Sequence, residues 1–142
     1  GINTRLISNA NAMITLLTSA QDFTSGWAYL GAVVRSGNCQ WLGIWLTVDI
    51  NSTLNARVRA RAQTTYAGGA TDEYSLPIKT VSSADVKVEE EYLEFNVDAD
   101  QLVILGIECN GVIPFIQFQV IAGTVGATPG QIDAAYVTRD NF

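Results

Sequence analysis

The chain predicts an all-β fold, an antiparallel β-sandwich, on three observations. Apolar and polar residues alternate with a period of two in several runs, most clearly from Cys39 to Ile50 (CQWLGIWLTVDI). Turn-forming residues separate these runs at intervals of roughly 8–12 residues. No stretch carries the 3.6-residue apolar period of an amphipathic helix. Roughly eight to ten short strands follow, and connections too long for hairpins favour a jelly-roll-like arrangement, with an immunoglobulin-like sandwich second.

Residues 1–11 (GINTRLISNAN) are polar and aperiodic and read as an N-terminal arm. Ala12–Thr18 reads as a first strand, with Met13 and Leu17 alternating against Ile14 and Leu16, and SAQDFTSG after it as a turn-rich connector. Trp27–Val34 is a second strand, ended by turn residues 35–38 (RSGN). The third and longest, Cys39–Ile50, sets Leu42, Ile44, Leu46, Val48 and Ile50 on one face. Trp41, Gly43, Trp45, Thr47 and Asp49 fall on the other. The aliphatic face belongs in a core; the indole face needs a cover, for which a terminal arm is expected. Asn51-Ser52-Thr53 closes the strand. Residues 56–66 then point Arg57, Arg59 and Arg61 one way and Val58, Ala60 and Ala62 the other, before a loop, AGGATDE.

Tyr74–Val81 reads as a strand whose Pro77 assigns it to an edge or bulge, because proline has no N–H for a ladder. A turn at Ser82–Asp85 precedes a short strand, Val86–Val88. Tyr92–Val97 alternates Tyr92, Glu94 and Asn96 against Leu93, Phe95 and Val97. Leu102–Cys109 is almost wholly apolar, and Asn110-Gly111 predicts a hairpin pairing it with Ile113–Ala122, where Gln117 and Gln119 share a face. A Gly-rich stretch, GTVGATPGQ, leads to a last short strand, Ile132–Thr138. The expected organisation is an arm at 1–11, a sandwich domain at 12–122, and a Gly-rich C-terminal tail with a short strand at 123–142.

A chain of 142 residues is long enough for one domain with a real core. Its charged share is 15%, against about 25% in ordinary domains, which implies that other chains cover part of its surface. The net charge of −6 argues against nucleic acid and anionic membranes as partners, and no apolar run approaches the roughly 18 residues of a helical span. The charge is uneven: five arginines against two aspartates make residues 1–71 net +3, and three cations against twelve acids make residues 72–142 net −9. These halves can pair within one fold or between copies. Cys39 and Cys109 lie in apolar runs and read as buried, reduced thiols of a reducing compartment, with a single disulfide between them the alternative.

The chain has no histidine, so it lacks the commonest general base and metal ligand. Nucleophile elbows, phosphate-binding loops and dinucleotide fingerprints are also absent. Glu89–Glu91, Glu94 and Glu108 could supply paired carboxylates for glycosidase chemistry but read as a solvated rim. Asp98-Ala99-Asp100 and Thr71-Asp72-Glu73 read as turn formers rather than calcium loops. No enzymatic activity, cofactor, metal or small-molecule ligand is expected. What remains is an interface. Arg57, Arg59 and Arg61 form either a solvated face paired with Glu94 or Asp98, or a row of guanidinium forks aimed at another subunit. Trp41 and Trp45, with Trp27, form either ordinary packing or a platform for protein or sugar.

Three segments carry a resemblance: Trp41–Ile50, residues 72–101 (DEYSLPIKTVSSADVKVEEEYLEFNVDADQ) and residues 123–138 (GTVGATPGQIDAAYVT). Together they resemble small structural proteins of tailed bacteriophages, specifically capsid decoration (cement) proteins, over most of the chain after about Gly26. The resemblance implies a trimeric β-sandwich bound to the outside of the mature head, assembled in the host cytoplasm, with the major capsid protein as partner. It offers no catalytic residues to carry over. A tail- or spike-associated module binding host glycans through exposed tryptophans is the alternative.

Overall fold

Alternation of β-branched or aromatic residues with small and polar ones makes extended backbone the favoured state along most of this chain. The computed structural model describes residues 13–49, 56–65, 74–82, 86–88, 92–95, 100–122 and 130–141, and among these every regular element is a strand. In order they are β1 (Ile14–Thr15), β2 (Gln21–Asp22), β3 (Ala28–Arg35), β4 (Cys39–Asp49), β5 (Ala56–Gln63) and β6 (Tyr74–Leu76). β7 (Lys79–Ser82), β8 (Val86–Val88), β9 (Leu93–Phe95), β10 (Asp100–Glu108), β11 (Phe115–Ala122) and β12 (Gln131–Asn141) complete the set.

One sheet, sheet A, runs β1–β12–β4–β10–β7, with β2 also on β12; sheet B runs β3–β11–β5–β9–β8, with β6 also on β5. The antiparallel pairings nest. β1 and β2 pair with β12, β3 with β11, β4 with β10, and β5 with β9. The chain is thus a long two-stranded ribbon wound on itself, its turns joined by the β4–β12 and β5–β11 ladders. This is the jelly roll expected from the sequence, not the immunoglobulin-like arrangement.

The two sheets pack face to face. β4 lies between β12 and β10, and its Leu42, Ile44, Leu46 and Val48 are fully buried, as the alternation predicts. Leu30, Val58, Ile116, Phe118 and Val120 of sheet B are buried as completely. Each such Leu, Ile, Val or Phe side chain contributes about 1.5–3 kcal/mol of hydrophobic stabilisation. Phe23, just after β2, is fully buried and its N–H donates to the Gly130 carbonyl at 3.0 Å. Cys39 and Cys109 are buried thiols, not joined by a disulfide.

Five expectations need correction in whole or in part. Asn110 and Gly111 do adopt the left-handed backbone that a tight turn requires (φ 51° and 72°), and the Val112 N–H donates to the Cys109 carbonyl at 3.0 Å. They do not form a hairpin between β10 and β11, because β10 pairs with β4 and β7 and β11 with β3 and β5. The turn is held to the start of β4 by Gly111 N–H on the Cys39 carbonyl (2.7 Å) and Asn110 N–H on the Gln40 carbonyl (3.1 Å), so the chain crosses to the other sheet. Pro77 does lie between edge strands, as one expected alternative had it, but it does not sit within a single strand. It divides the run into β6, which among the described residues pairs only with β5 in sheet B, and β7, at the end of sheet A, with Ile78 buried at the crossing.

Of the expected first strand only Ile14–Thr15 pairs regularly; Leu16 and Leu17 donate their N–H groups to the Ala135 carbonyl and pack against the core. The connector after it contributes β2, through register pairs Asp22 with Gln131 and Gln21 with Ile132. Finally, β12 is not a short strand in a tail but an 11-residue interior strand of sheet A. Residues 1–11, Ile50–Thr53, the loop at 67–73, Glu89–Glu91 and Asp98 lie outside the described residues.

Candidate interaction faces

Each sheet turns its second face away from the core, and the two outer faces differ in chemistry. On sheet A, the registers of β10, β4 and β12 align four rows: Leu102–Thr47–Ala134, Ile104–Trp45–Tyr136, Gly106–Gly43–Thr138 and Glu108–Trp41–Asp140. The glycine row would leave a gap between the two indole rows, yet Gly43 and Gly106 are buried. The Trp45 Nε1–H donates to Thr138 Oγ1 at 3.2 Å, which draws that indole across the gap. An aromatic ring over strand glycines restores the apolar cover they lack. Trp41 and Trp45 both pack on Ile104 and stay half-buried, while Leu102 is 53% exposed and Tyr136 37%. The indoles therefore lie on the outer face, packed by their own sheet; residues 1–11 and 123–129, from which a covering arm was expected, lie outside the described residues.

At the Trp41 end, Lys79 Nζ lies 5.5 Å from the indole centroid, a cation–π distance. A shallow cleft of about 240 Å³ opens there, lined by Trp41, Pro77, Lys79, Glu108 and Asn110.

Sheet B carries the arginines. Period-two geometry puts Arg57, Arg59 and Arg61 on its outer face, each half-buried above β5, opposite Ile121, Gln119 and Gln117 of β11. Arg57 Nε–H donates to Glu94 Oε2 at 2.9 Å, the partner expected from the sequence, and its guanidinium lies 4.6 Å from the Tyr92 ring centroid. Arg59 Nε–H donates to Gln119 Oε1 at 2.6 Å and its guanidinium stacks 3.9 Å from the Trp27 centroid. Arg61 donates to Ser75 Oγ at 3.1 Å. Trp27 is thus a stacking partner of the arginine row and is not part of the Trp41/Trp45 face.

A second set of polar groups pins this face. Gln63 Nε2–H donates to Gln117 Oε1 (2.8 Å), and Gln117 Nε2–H donates to the Gly31 carbonyl (3.1 Å). Gly31 has φ 69° and sits where the β3–β11 register shifts, a bulge that turns its carbonyl out of the ladder. Arg35, exposed at the end of β3, lies 5.8 Å from the Phe115 ring.

Sequence reasoning missed Leu102, Ile104 and Tyr136 as members of the sheet A face. Leu102–Cys109 is apolar at both parities, so alternation could not say which side faces out; that double parity was itself the signal of an apolar outer face. It also missed the network through Gln63 and the Gly31 carbonyl, which depends on a bulge no local pattern reveals.

The faces carry opposite charge among the described residues. Outer sheet B sets Arg35, Arg57, Arg59 and Arg61 against Glu94; outer sheet A sets Asp49, Glu108 and Asp140 against Lys79. The thiols offer no nucleophile at neutral pH. Burial pushes Cys109 up to about 12, with Cys39 adding to the rise, and burial likewise raises Cys39 despite the opposing pull of Arg139. Among the described residues no group of three or more His, Cys, Asp or Glu could hold a metal ion, and no helix is long and apolar enough to cross a membrane. In comparison with known proteins, the chain matches no family model and no curated sequence.

Proposed function

We propose that this protein is a non-enzymatic bacteriophage virion structural protein, a decoration or cement protein that braces the head by binding across capsomers. The observation that carries this reading is the outer face of sheet A. Leu102, Ile104, Trp45 and Tyr136 form a contiguous apolar and aromatic band on a stiff two-layer body, partly open to solvent. Apolar surface of this kind marks protein-docking sites, and aromatic residues are the types that anchor them. The sparse charge of the chain and its resemblance to decoration proteins give the partners: the major capsid protein and further copies of this chain, a trimer being expected, on the head surface after assembly in the host cytoplasm. The mechanism is burial of apolar surface across capsomer boundaries, aided by the arm expected at residues 1–11, with no turnover.

Copy number and location on purified particles test this. Quantitative mass spectrometry and immunogold labelling should find hundreds of copies distributed over the head. A handful at one vertex or on the tail would overturn it.

That second outcome would favour a tail- or spike-associated module binding host glycans, for which the Trp41 cleft is the favouring observation: it combines an indole face, a lysine, a carboxylate and an amide around an open concavity. Trp41 fluorescence should then respond to a host polysaccharide, with the response lost in Trp41→Ala. Trp27 is a poorer sugar platform, since Arg59 already stacks on its ring.

A further inference from the structure

We propose that copies of this chain bind one another face to back, the arginine face of sheet B on one copy against the indole face of sheet A on the next. The proposal rests on reading the indole face as a protein-docking surface and names its occupant: a second copy.

Three features support this. First, the faces are complementary in charge: the four arginines of one meet the exposed Asp49 and Glu108 that flank the apolar band of the other. Second, the arginine face is preorganised. Glu94, Gln119 and Ser75 hold the guanidiniums by hydrogen bonds, and the Trp27 and Tyr92 rings hold two of them by stacking, so little side-chain entropy is lost on docking. Third, the size is adequate. Three strands of eight or more residues on each face, with shorter ones beside them, cover about 14–19 by 27 Å, so two such faces bury about 800–1,000 Å², the size of a weak specific contact.

The two faces are different surfaces, so the contact is heterologous. A dimer would leave one face of each copy unoccupied, and assembly must continue until a ring closes or a filament grows. Charge complementarity, rather than apolar area alone, sets the order of the faces and excludes stacking like on like.

Light scattering on sized full-length protein tests the proposal between about 1 and about 100 µM, the affinity range a small interface occupies. In about 0.1 M salt the protein should form species of more than two copies, and in about 1 M salt, where the screening length falls from about 10 to about 3 Å, these should dissociate. Leu102 and Tyr29 are exposed positions on the two outer faces, so substitutions there leave the fold intact.

Leu102→Arg and Leu102→Glu remove the same apolar group with opposite charge. The first should weaken assembly at least about tenfold more than the second, because it sets a cation against the arginine row. Leu102→Arg and Tyr29→Glu each disable one face. Neither should assemble alone, but an equal mixture should give 1:1 dimers and nothing larger, since each retains the face the other lacks. A monomer throughout the concentration range, assembly indifferent to salt, equal effects of the two Leu102 variants, or a mixture that stays monomeric would each overturn the proposal. Particle occupancy is independent: hundreds of head-bound copies of a chain that remains monomeric would sink this inference, and the expected trimer with it, and leave the capsid-binding role standing.

Discussion

Replacing Gly31 with alanine should be among the costliest single-methyl additions the fold can receive. Its φ of 69° is a backbone region that L residues enter at a cost of about 1–2 kcal/mol. A Cβ there would also stand 2.6 Å from the Leu16 carbonyl oxygen and 2.6 Å from Leu16 Cγ, inside any tolerable contact. Leu16 is not free to retreat, because its N–H donates to the Ala135 carbonyl at 2.8 Å and its side chain packs on the core. Adding strain to the displacement of that segment gives a loss of about 2–4 kcal/mol. Urea unfolding followed by tryptophan fluorescence reads this directly: with a slope of about 2 kcal/mol per molar, a loss of about 3 kcal/mol lowers the midpoint by about 1.5 M. Gly26→Ala and Gly37→Ala are the controls, since an added Cβ meets nothing within 4 Å at either site. A Gly31→Ala midpoint within about 0.2 M of the parent would refute the reasoning, as it would mean that the β3 bulge and the Leu16 segment yield at little cost.

Two further outcomes are expected. The Arg57–Glu94 pair has side chains 35% and 10% exposed, between a surface and a buried pair, so a double-mutant cycle with Arg57→Met and Glu94→Gln should give a coupling of about 1 kcal/mol that shrinks in 1 M salt; a coupling of zero would show that the pair only decorates the face. Cys109, raised from 9.0 to about 12, keeps its proton in the folded state after the unfolded chain has lost it. Stability is therefore full below about pH 9 and falls as pH rises towards about 12, by at most about 1.4 kcal/mol per unit and less where water screens the site. Denaturation at stepped pH should show this decline, and a Cys109→Ala variant with the same decline would remove the thiol as its cause.

The sequence was most legible where one face of a strand is dry and the other is not. β4 and β5 display their inward and outward residues as alternation predicts, because burial of Leu42–Val48 and of Val58 and Ala60 leaves one parity no alternative. Turn chemistry was legible as backbone conformation and misleading as topology. Asn110 and Gly111 supply the left-handed residues a tight turn needs, yet which strands pair beyond it is decided by contacts distant in sequence, here with Cys39 and Gln40. Pro77 was visible as a break, but only the tertiary fold could assign its two sides to different sheets. Among the candidate interface residues, composition singled out the arginines and tryptophans. It could not sort Trp27 from Trp41 and Trp45, since a residue's sheet is not a local property.

The nesting of the ribbon also dictates when this domain can be complete. β4 is the middle of sheet A, but its neighbour on one side, β12, comes after all the other described strands in chain order. A chain emerging from a ribosome carries β4 with one edge unpaired until residues 131–141 arrive, and that edge backs the fully buried Leu42–Val48 row. Closing β12 onto β4 joins positions far apart in the chain, exceeded among the described pairings only by β1 and β2 on the same β12, and folds ruled by such non-local strand pairing take milliseconds to seconds rather than microseconds. Any truncation before β12 leaves a long apolar strand edge open to the nearest extended peptide, including another unfinished copy. β12 thus acts as a zip fastener: it completes the sheet and withdraws the most adhesive edge of the nascent chain.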